Sequence, residues 1–555
     1  MSDSNSQKFA MRGGKFVRLD GWTLISLFIA ALVFIPIAAI LWLAFFPQEN
    51  IWPHLLNTTL PRYFFNTMIL MASVGVIAAV IGTTTAWMTT RYKFFMSGFF
   101  GWSLLLPLAI PAYVGAYALV DFLEYAGPVQ TTLRGFFGWS SSKDYAFIEV
   151  RSMGMAAMVL GMALYPYVYL LVRSALSEQS SDSYDVARAL GAGPFSRFIR
   201  VALPLCRPAI AAGTSIAMME AASDFGVVDY FAVQTLTTGI FSVWLESYNA
   251  GGAAQLSLIV LGLVFILITV ERAARQKSRV YSLGKSLRPV PKTDLTGWRN
   301  FAAFLTCALP FAIGFLIPFS IIATHAVENL NGWSDGGLMR ALLNTLTVAF
   351  IAAIITVLAA LALVYGARLS GRQLPRLVLP LASIGYAAPG AVLGVGLLIP
   401  LAGFDHWIAD TIVALGGPDV GLLVTGSACA LVLAYVTRFF ALGTGAADSA
   451  FGRVSPSLPQ AARALGKSTT ATLGLVYLPL IRNSLGTAFL LIFVDCVKEL
   501  PATLLLRPFN FNTLATRVYD QASLENLGNA APAALVIISV GFIAVLILSR
   551  KLLAR

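Results

Sequence analysis

From Gly21 to Pro47 the sequence carries no charged residue, and apolar runs of comparable length recur almost to the C-terminus. A run of about eighteen such residues is long enough to cross the hydrocarbon core of a bilayer as a helix. Once in lipid, a helix is one of the few structures that satisfies its own backbone hydrogen bonds. Few folds are open to such a chain. Spans are expected at 21–47, 64–90, 97–123, 152–175, 203–224 and 255–271, then at 300–324, 343–367, 374–401, 418–440, 480–504 and 531–550. Composition agrees, with 58% apolar and 12% charged residues, where soluble domains hold about 25% charged. The expected fold class is an all-α polytopic membrane protein of about 12 transmembrane helices.

Lys and Arg set the expected orientation, because they gather on the cytoplasmic side. The interval 271–299 holds eight of them (Arg272, Arg275, Lys277, Arg279, Lys285, Arg288, Lys292, Arg299) against two acids. From Pro208 to Val270 there is no Lys or Arg, yet Glu220, Asp224, Asp229 and Glu246 occur. A loop around 225–254 is therefore expected outside and the basic linker inside. The short loops with Arg91/Lys93 and Arg368/Arg372/Arg376, the basic residues 1–20 and the tail Arg550–Arg555 place both termini inside. Lys143, Arg151, Arg507 and Arg517 are the bases that fall outside against this rule. The net charge of +12 is then a matter of membrane loops, and no nucleic-acid partner is expected.

The chain is duplicated. Asp185-Val-Ala-Arg-Ala-Leu-Gly191 returns 275 residues later as Gln460-Ala-Ala-Arg-Ala-Leu-Gly466. In both copies nine residues separate the glycine from Val-x-Leu-Pro, ending at Leu203-Pro204 and Leu478-Pro479. Asn66-Thr67 and Asn344-Thr345 open corresponding spans, and Ile110–Tyr113 corresponds to Ala388–Ala391. The expected layout is an N-terminal segment 1–20, a first unit 21–272, a basic linker 273–298 and a second unit 299–555. Six spans per unit is an even number, so the units insert in parallel about an axis along the membrane normal, with a path between them.

The repeated segment reads as helix, glycine, helix, with acids suited to the first turn and Gly191 and Gly466 suited to ending it. Glu220 and Asp224 lie four apart on one helix face, and Asp495 and Glu499 repeat them at the 275-residue interval. Acids inside a spanning helix face a cavity or a partner. The four are pathway candidates, forming an acidic ring around a cation path; the bland reading is polar contact between helices, or Glu499 paired with Lys498. Gly284-Lys285-Ser286 and Gly466-Lys467-Ser468 lack the earlier glycine of a phosphate loop, since Arg279 and Ala461 stand there. Cys206, Cys307, Cys429 and Cys496 read as small core residues. His54, His325 and His406 are too scattered for a metal site, and no metal ligand is assigned.

The pattern around Asp185, Ala187, Gly191, Leu203 and Pro204, and around Gln460, Ala461, Ala462, Gly466, Leu478 and Pro479, resembles the EAA loop of permease subunits of binding-protein-dependent ABC transporters. Val186 and Gln460 depart from that pattern, the latter by losing its acid. The runs 222–231, 237–240, 498–507 and 512–516 resemble the fused permeases of ferric-iron uptake. The resemblance implies a type I importer permease fold in a bacterial inner membrane. It implies coupling helices docked on two copies of a cytoplasmic ABC ATPase, and an external solute-binding protein that delivers cargo. ATP and magnesium would then sit on the ATPase, with no cofactor on this chain and no enzymatic step of its own. Ferric iron is the expected cargo, with thiamine, polyamine or another small solute as alternatives. An ion-coupled secondary transporter is the rival from another class, resting on the intramembrane acids alone.

Overall fold

The computed structural model describes residues 21–179, 181–276, 290–369 and 388–553. The expected basic N-terminal segment, the centre of the linker with the first Gly-Lys-Ser triplet, Arg372, Arg376, the start of the 374–401 span and the last two residues lie outside these. Among the described residues, eleven helices are long and apolar enough to cross a membrane, and one bent pair raises the number to twelve.

The bent pair replaces the continuous span expected at 97–123. Ser97–Ala109 and Ala112–Phe137 meet at 94°. Pro107 sits in a 3-10 turn and Pro111 directly precedes the second helix with extended backbone. Neither proline can donate to a continuing helix, and each restricts the residue before it. Pro389 has the same role ahead of Gly390–Ala414.

Other edges move as well. Helix Gly390–Ala414 continues past the expected end at 401, because buried Asp405 accepts the N–H groups of Val424 and Thr425 and folds the following loop back onto it. The next helix starts only at Ala428, capped by Ser427, instead of near 418. The expected loop around 225–254 is instead two short helices, Gly226–Tyr230 and Leu236–Phe241, with Val227, Val228, Leu236 and Ile240 fully buried. The expected 480–504 span ends at Val497, and a short helix restarts at Pro501.

The duplication is visible in the packing. Leu60–Arg91, Met153–Ser177 and Leu203–Ser223 form one triad; Gly336–Leu369, Ala428–Gly452 and Leu478–Val497 form the other. Small residues let backbones approach, as usual between membrane helices. A Cβ on Gly82 would stand 2.8 Å from Tyr169 N and 2.9 Å from Tyr165 O. Asn66 Nδ2 donates to Gln234 O at 2.8 Å, and Asn344 Nδ2 donates to Asn512 O at 3.0 Å. Thr67 and Thr345 accept from Leu236 N and Leu514 N, so each repeated Asn-Thr pair holds a capping-box helix of its own half.

The first helix of each half crosses to the other half. Gly21–Phe45 packs on Gly336–Leu369 and Gly390–Ala414 as well as on its own last helix. Gly297–Phe311 and Ile317–Glu328 pack on Leu60–Arg91, Ala112–Leu123 and Leu527–Leu553. The crossing is pinned by a two-residue parallel strand pair, Tyr92–Lys93 with Thr293–Asp294, and by Lys292 Nζ donating to Thr89 O at 2.8 Å. Three of the four bases that broke the charge rule are in ion pairs: Arg151 with Glu124 and Glu525, Arg507 with Asp520, and Arg517 with Asp335.

Candidate functional site

The two repeated segments have one geometry. In the first, helix Ser181–Ala189 ends at Gly191, whose φ is +77°. Ala192 N donates to Ala187 O at 2.9 Å, and Gly191 N to Arg188 O at 3.0 Å. In the second, helix Ser457–Ala464 ends at Gly466 with φ +78°; Lys467 N donates to Ala462 O at 3.1 Å and Gly466 N to Arg463 O at 2.9 Å. Both are Schellman ends, in which a left-handed residue turns the last N–H groups back onto open carbonyls. Ala187 and Ala462 are partly covered, whereas Asp185, Gln460 and Ala461 are exposed. Asp182 occupies the first turn of its helix; Asp185 lies one residue past it.

Each of the two repeated helices is followed by a bare leucine. Leu190 is 82% exposed and Leu465 is 79% exposed. A lone exposed leucine needs no explanation, but two at equivalent helix ends form a matched pair. The Leu-Pro that closes each motif also has a physical job. Phe198–Ala202 and Leu473–Tyr477 are π turns, and Leu203 N and Leu478 N reach back to Phe198 O and Leu473 O. Pro204 and Pro479 lack the N–H for the usual bond and crowd the carbonyl four residues back; the wider turn relieves this. Pro318 follows the π turn Ala312–Leu316 in the same way. Ser468 of the second Gly-Lys-Ser triplet caps Thr469–Thr472 through its side chain.

The anchor of the first repeated helix is not marked by any spacing along the chain. Arg91 is buried and donates to Leu176 O at 2.9 Å, Gln179 Oε1 at 3.1 Å and Tyr184 OH at 3.2 Å, with its guanidinium 4.6 Å from the Tyr184 ring centre. In the second half Tyr365 OH donates to Thr469 O at 2.5 Å and so holds the short helix Thr469–Thr472 that follows Gly466.

All four repeated acids border one cavity of about 140 Å³ between the halves. They are not equivalent there. Glu499 is 4% exposed and saturated: Oε1 accepts from Ala502 N at 3.0 Å and Arg438 Nη1 at 3.1 Å, while Oε2 accepts from Thr503 N at 3.1 Å and Thr503 Oγ1 at 2.8 Å. It therefore caps Pro501–Leu506. Asp224 has the matching position at Gly226–Tyr230 and accepts Val227 N at 2.8 Å. Asp495 pairs with Lys498 at 2.8 Å. The alternative pairing of Glu499 with Lys498 is thus wrong: Lys498 turns back one helical turn to Asp495, and Glu499 takes Arg438 from the neighbouring helix. Arg438 fits because Gly390 leaves room; a Cβ there would lie 2.2 Å from its Nη1. Among the described residues no group of three or more His, Cys, Asp or Glu side chains could hold a metal ion.

Comparison with known proteins bears on what such a molecule does. Residues 78–280 match the family described as binding-protein-dependent transport system inner membrane component. The Fe(3+)-transport system permease protein FbpB 2 of Haemophilus influenzae is 25% identical over 87% of this chain and 89% of its own length. The ferric transport system permease protein FbpB of Actinobacillus pleuropneumoniae is 24% identical over 89% of this chain and 72% of its own. The sulfate transport system permease protein CysT of Escherichia coli is 23% identical over 44% of this chain but 86% of its own. One half of the present chain thus has the span of a whole shorter permease.

Proposed function

We propose that this chain is a binding-protein-dependent transport system inner membrane component and forms the membrane path of an ATP-driven ferric-iron importer. The observation that carries the reading is the matched pair of coupling segments, Asp185–Pro204 and Gln460–Pro479. Each has a glycine-ended helix with an exposed leucine, followed by a π turn. A pathway that moved solute down an ion gradient has no use for two identical cytoplasmic handles. Two copies of one ATPase, related by the same two-fold, do. Ferric cargo follows from the relatives that span most of this chain, and it suits a cavity bordered by four carboxylates, because a hard cation prefers oxygen.

In this reading both termini and both coupling segments face the cytoplasm. A solute-binding protein delivers cargo from outside, over both halves. ATP draws the two ATPase subunits together, the coupling helices follow, and the path between the halves opens outward. Hydrolysis releases the subunits and returns the path to the inside. ATP and magnesium stay on the ATPase, and this chain moves cargo without making or breaking a bond.

The test is uptake of radioactive ferric iron into proteoliposomes that hold this chain, its ATPase and internal ATP, with loaded binding protein outside. Uptake should vanish when either partner or ATP is left out. Uptake driven by a proton or sodium gradient alone would overturn the reading.

A further inference from the structure

Four polar side chains meet at the base of the first repeated helix, Ser181–Ala189. Arg91 is the last residue of helix Leu60–Arg91, Gln179 follows Met153–Ser177, Tyr184 is on the repeated helix itself, and Cys206 is on Leu203–Ser223. The Arg91 guanidinium donates to Leu176 O in the last turn of Met153–Ser177, to Gln179 and to Tyr184. Tyr184 OH also donates to Gln179 Oε1, and Gln179 Nε2 donates to Cys206 Sγ at 3.3 Å. One guanidinium therefore spans the joint between a membrane helix and the repeated helix, and it belongs to a second membrane helix. A cation at a helix C-terminus is favourable at the surface, but burying one is costly unless its donors are used. Arg91 is 6% exposed, and these acceptors are all neutral.

The second half builds the same place from apolar residues. Helices Leu60–Arg91 and Gly336–Leu369 correspond at 278 residues, through Asn66 and Asn344, and the repeated motifs correspond at 275. On those intervals Arg91, Gln179, Tyr184 and Cys206 become Leu369, Val454, Pro459 and Ile481. Leu369, Val454 and Ile481 pack in one apolar cluster with Val364, Tyr365 and Phe451, and Pro459 is buried. The bond from Tyr365 to Thr469 O falls beyond Gly466, so it holds the chain that follows helix Ser457–Ala464. Past the glycine the two halves agree, each with its π turn. The difference lies on the near side of each helix. Hydrogen bonds from an ionised donor fix distance and direction, whereas apolar burial has no preferred angle.

We propose that Arg91 is the positioning residue through which the first repeated helix drives the membrane helices, so that the two handles transmit ATPase closure unequally. A pull on Ser181–Ala189 reaches the ends of Met153–Ser177 and Leu60–Arg91 together, through Leu176 O and Arg91 itself. Those two helices answer as one body, because they touch backbone to backbone at Gly82. Arg91 also directly precedes Tyr92–Lys93, the strand that pairs with Thr293–Asp294 of the second half, so the same pull is passed across the molecule. The second handle rests on an apolar seam that fixes no angle, and part of its swing is absorbed there. This inference rests on the proposed docking of an ATPase, and its experiment keeps the two apart.

The experiment uses the full chain in proteoliposomes with its ATPase and loaded binding protein, and reads ferric uptake per ATP hydrolysed. Arg91→Lys keeps the charge but loses the fork, and Tyr184→Phe loses one hydroxyl while its ring stays stacked on Trp87. Arg91→Lys should lower uptake per ATP about tenfold and Tyr184→Phe about threefold, while Val454→Ala in the second half changes it less than about twofold. The amount of ATPase that co-purifies with Arg91→Lys should match wild type. A general structural defect would lower hydrolysis and uptake together and leave their ratio alone. An unchanged ratio in Arg91→Lys and Tyr184→Phe, an equal fall in Val454→Ala, or loss of the ATPase from Arg91→Lys would overturn the joint. If Arg91→Lys does not fold, Tyr184→Phe against Val454→Ala decides. A second measurement needs no partner: amide hydrogen exchange of the chain alone should quicken over 181–189 in Arg91→Lys and stay as it was in the middle of Leu60–Arg91. Unaltered exchange over 181–189 also overturns the joint. Wild type without ATP-driven uptake sinks the importer reading; wild type that imports, with variants that keep its ratio, sinks the joint alone.

Discussion

Glu499 is a residue whose position was legible and whose role was not. Its recurrence at 275 residues from Asp224 marks it in the sequence, but its four bonds come from a helix N-terminus and from Arg438, 61 positions away. Arg438 is the one basic residue of helix Ala428–Gly452, and its counterpart at the 275-residue interval is Ala163, so spacing could not find it. Breaking such a buried pair from one side leaves an uncompensated charge and costs about 3–5 kcal/mol. Arg438→Met should therefore lower the thermal midpoint of the detergent-solubilised protein sharply. Glu499→Gln added to it should recover most of the loss, because a neutral amide no longer needs the guanidinium. A double variant no more stable than Arg438→Met would show that Arg438 acts by packing. The bases that defied the charge rule teach the same lesson. Arg151 and Arg517 each found an acid far off in the chain, Glu525 and Asp335, which a count along the sequence cannot register, and Arg507 found Asp520 across a turn of chain between two short helices.

At the scale of elements, the coupling segments were read most fully, because their determinants are local: a helix-ending glycine, a fixed spacing and a proline. Gly191 and Gly466 both have φ near +78°, where a Cβ costs about 1 kcal/mol or more. Gly191→Ala and Gly466→Ala should each reduce the amount of ATPase that co-purifies, to similar extents; full retention in either would mean that the helix end is not part of the docking surface. The acid of the motif makes a separate prediction. Asp185 and Gln460 are both exposed, so on the proposed reading two identical ATPase grooves would meet a charge in one half and none in the other. Gln460→Glu should tighten ATPase binding by about 0.3–1 kcal/mol at low salt, and the gain should fade as salt rises. A salt-independent gain would point to shape instead of charge. Spans were less well read where tertiary contacts set their ends. The continuous span expected at 97–123 passed over Pro107 and Pro111, where the chain breaks, and the 94° angle depends on the packing of both arms. Asp405 extends its helix only because a loop folds back onto it.

At the scale of the whole molecule, the duplication and the parallel relation of the halves follow from the repeat and the even span count, but the exchange of first helices does not. An apolar run states that it must be buried in lipid or protein and is silent about which neighbour it chooses. The exchange has a consequence for how the chain is joined. Gly21–Phe45 lies on the second half and Gly297–Glu328 on the first, and the halves also share the Tyr92–Thr293 strand pair and the Arg151–Glu525 ion pair. The covalent linker then adds mainly effective concentration, which two halves confined to one membrane already have in part. A chain cut between residues 277 and 289 and produced as two polypeptides should co-purify as one complex and keep most of its uptake. A cut between 45 and 60, which severs the first helix from the following chain but leaves its packing on both halves, should be tolerated as well. If the 277–289 cut yields two separate polypeptides, the contacts of the exchanged helices are too weak to hold the halves without a covalent link.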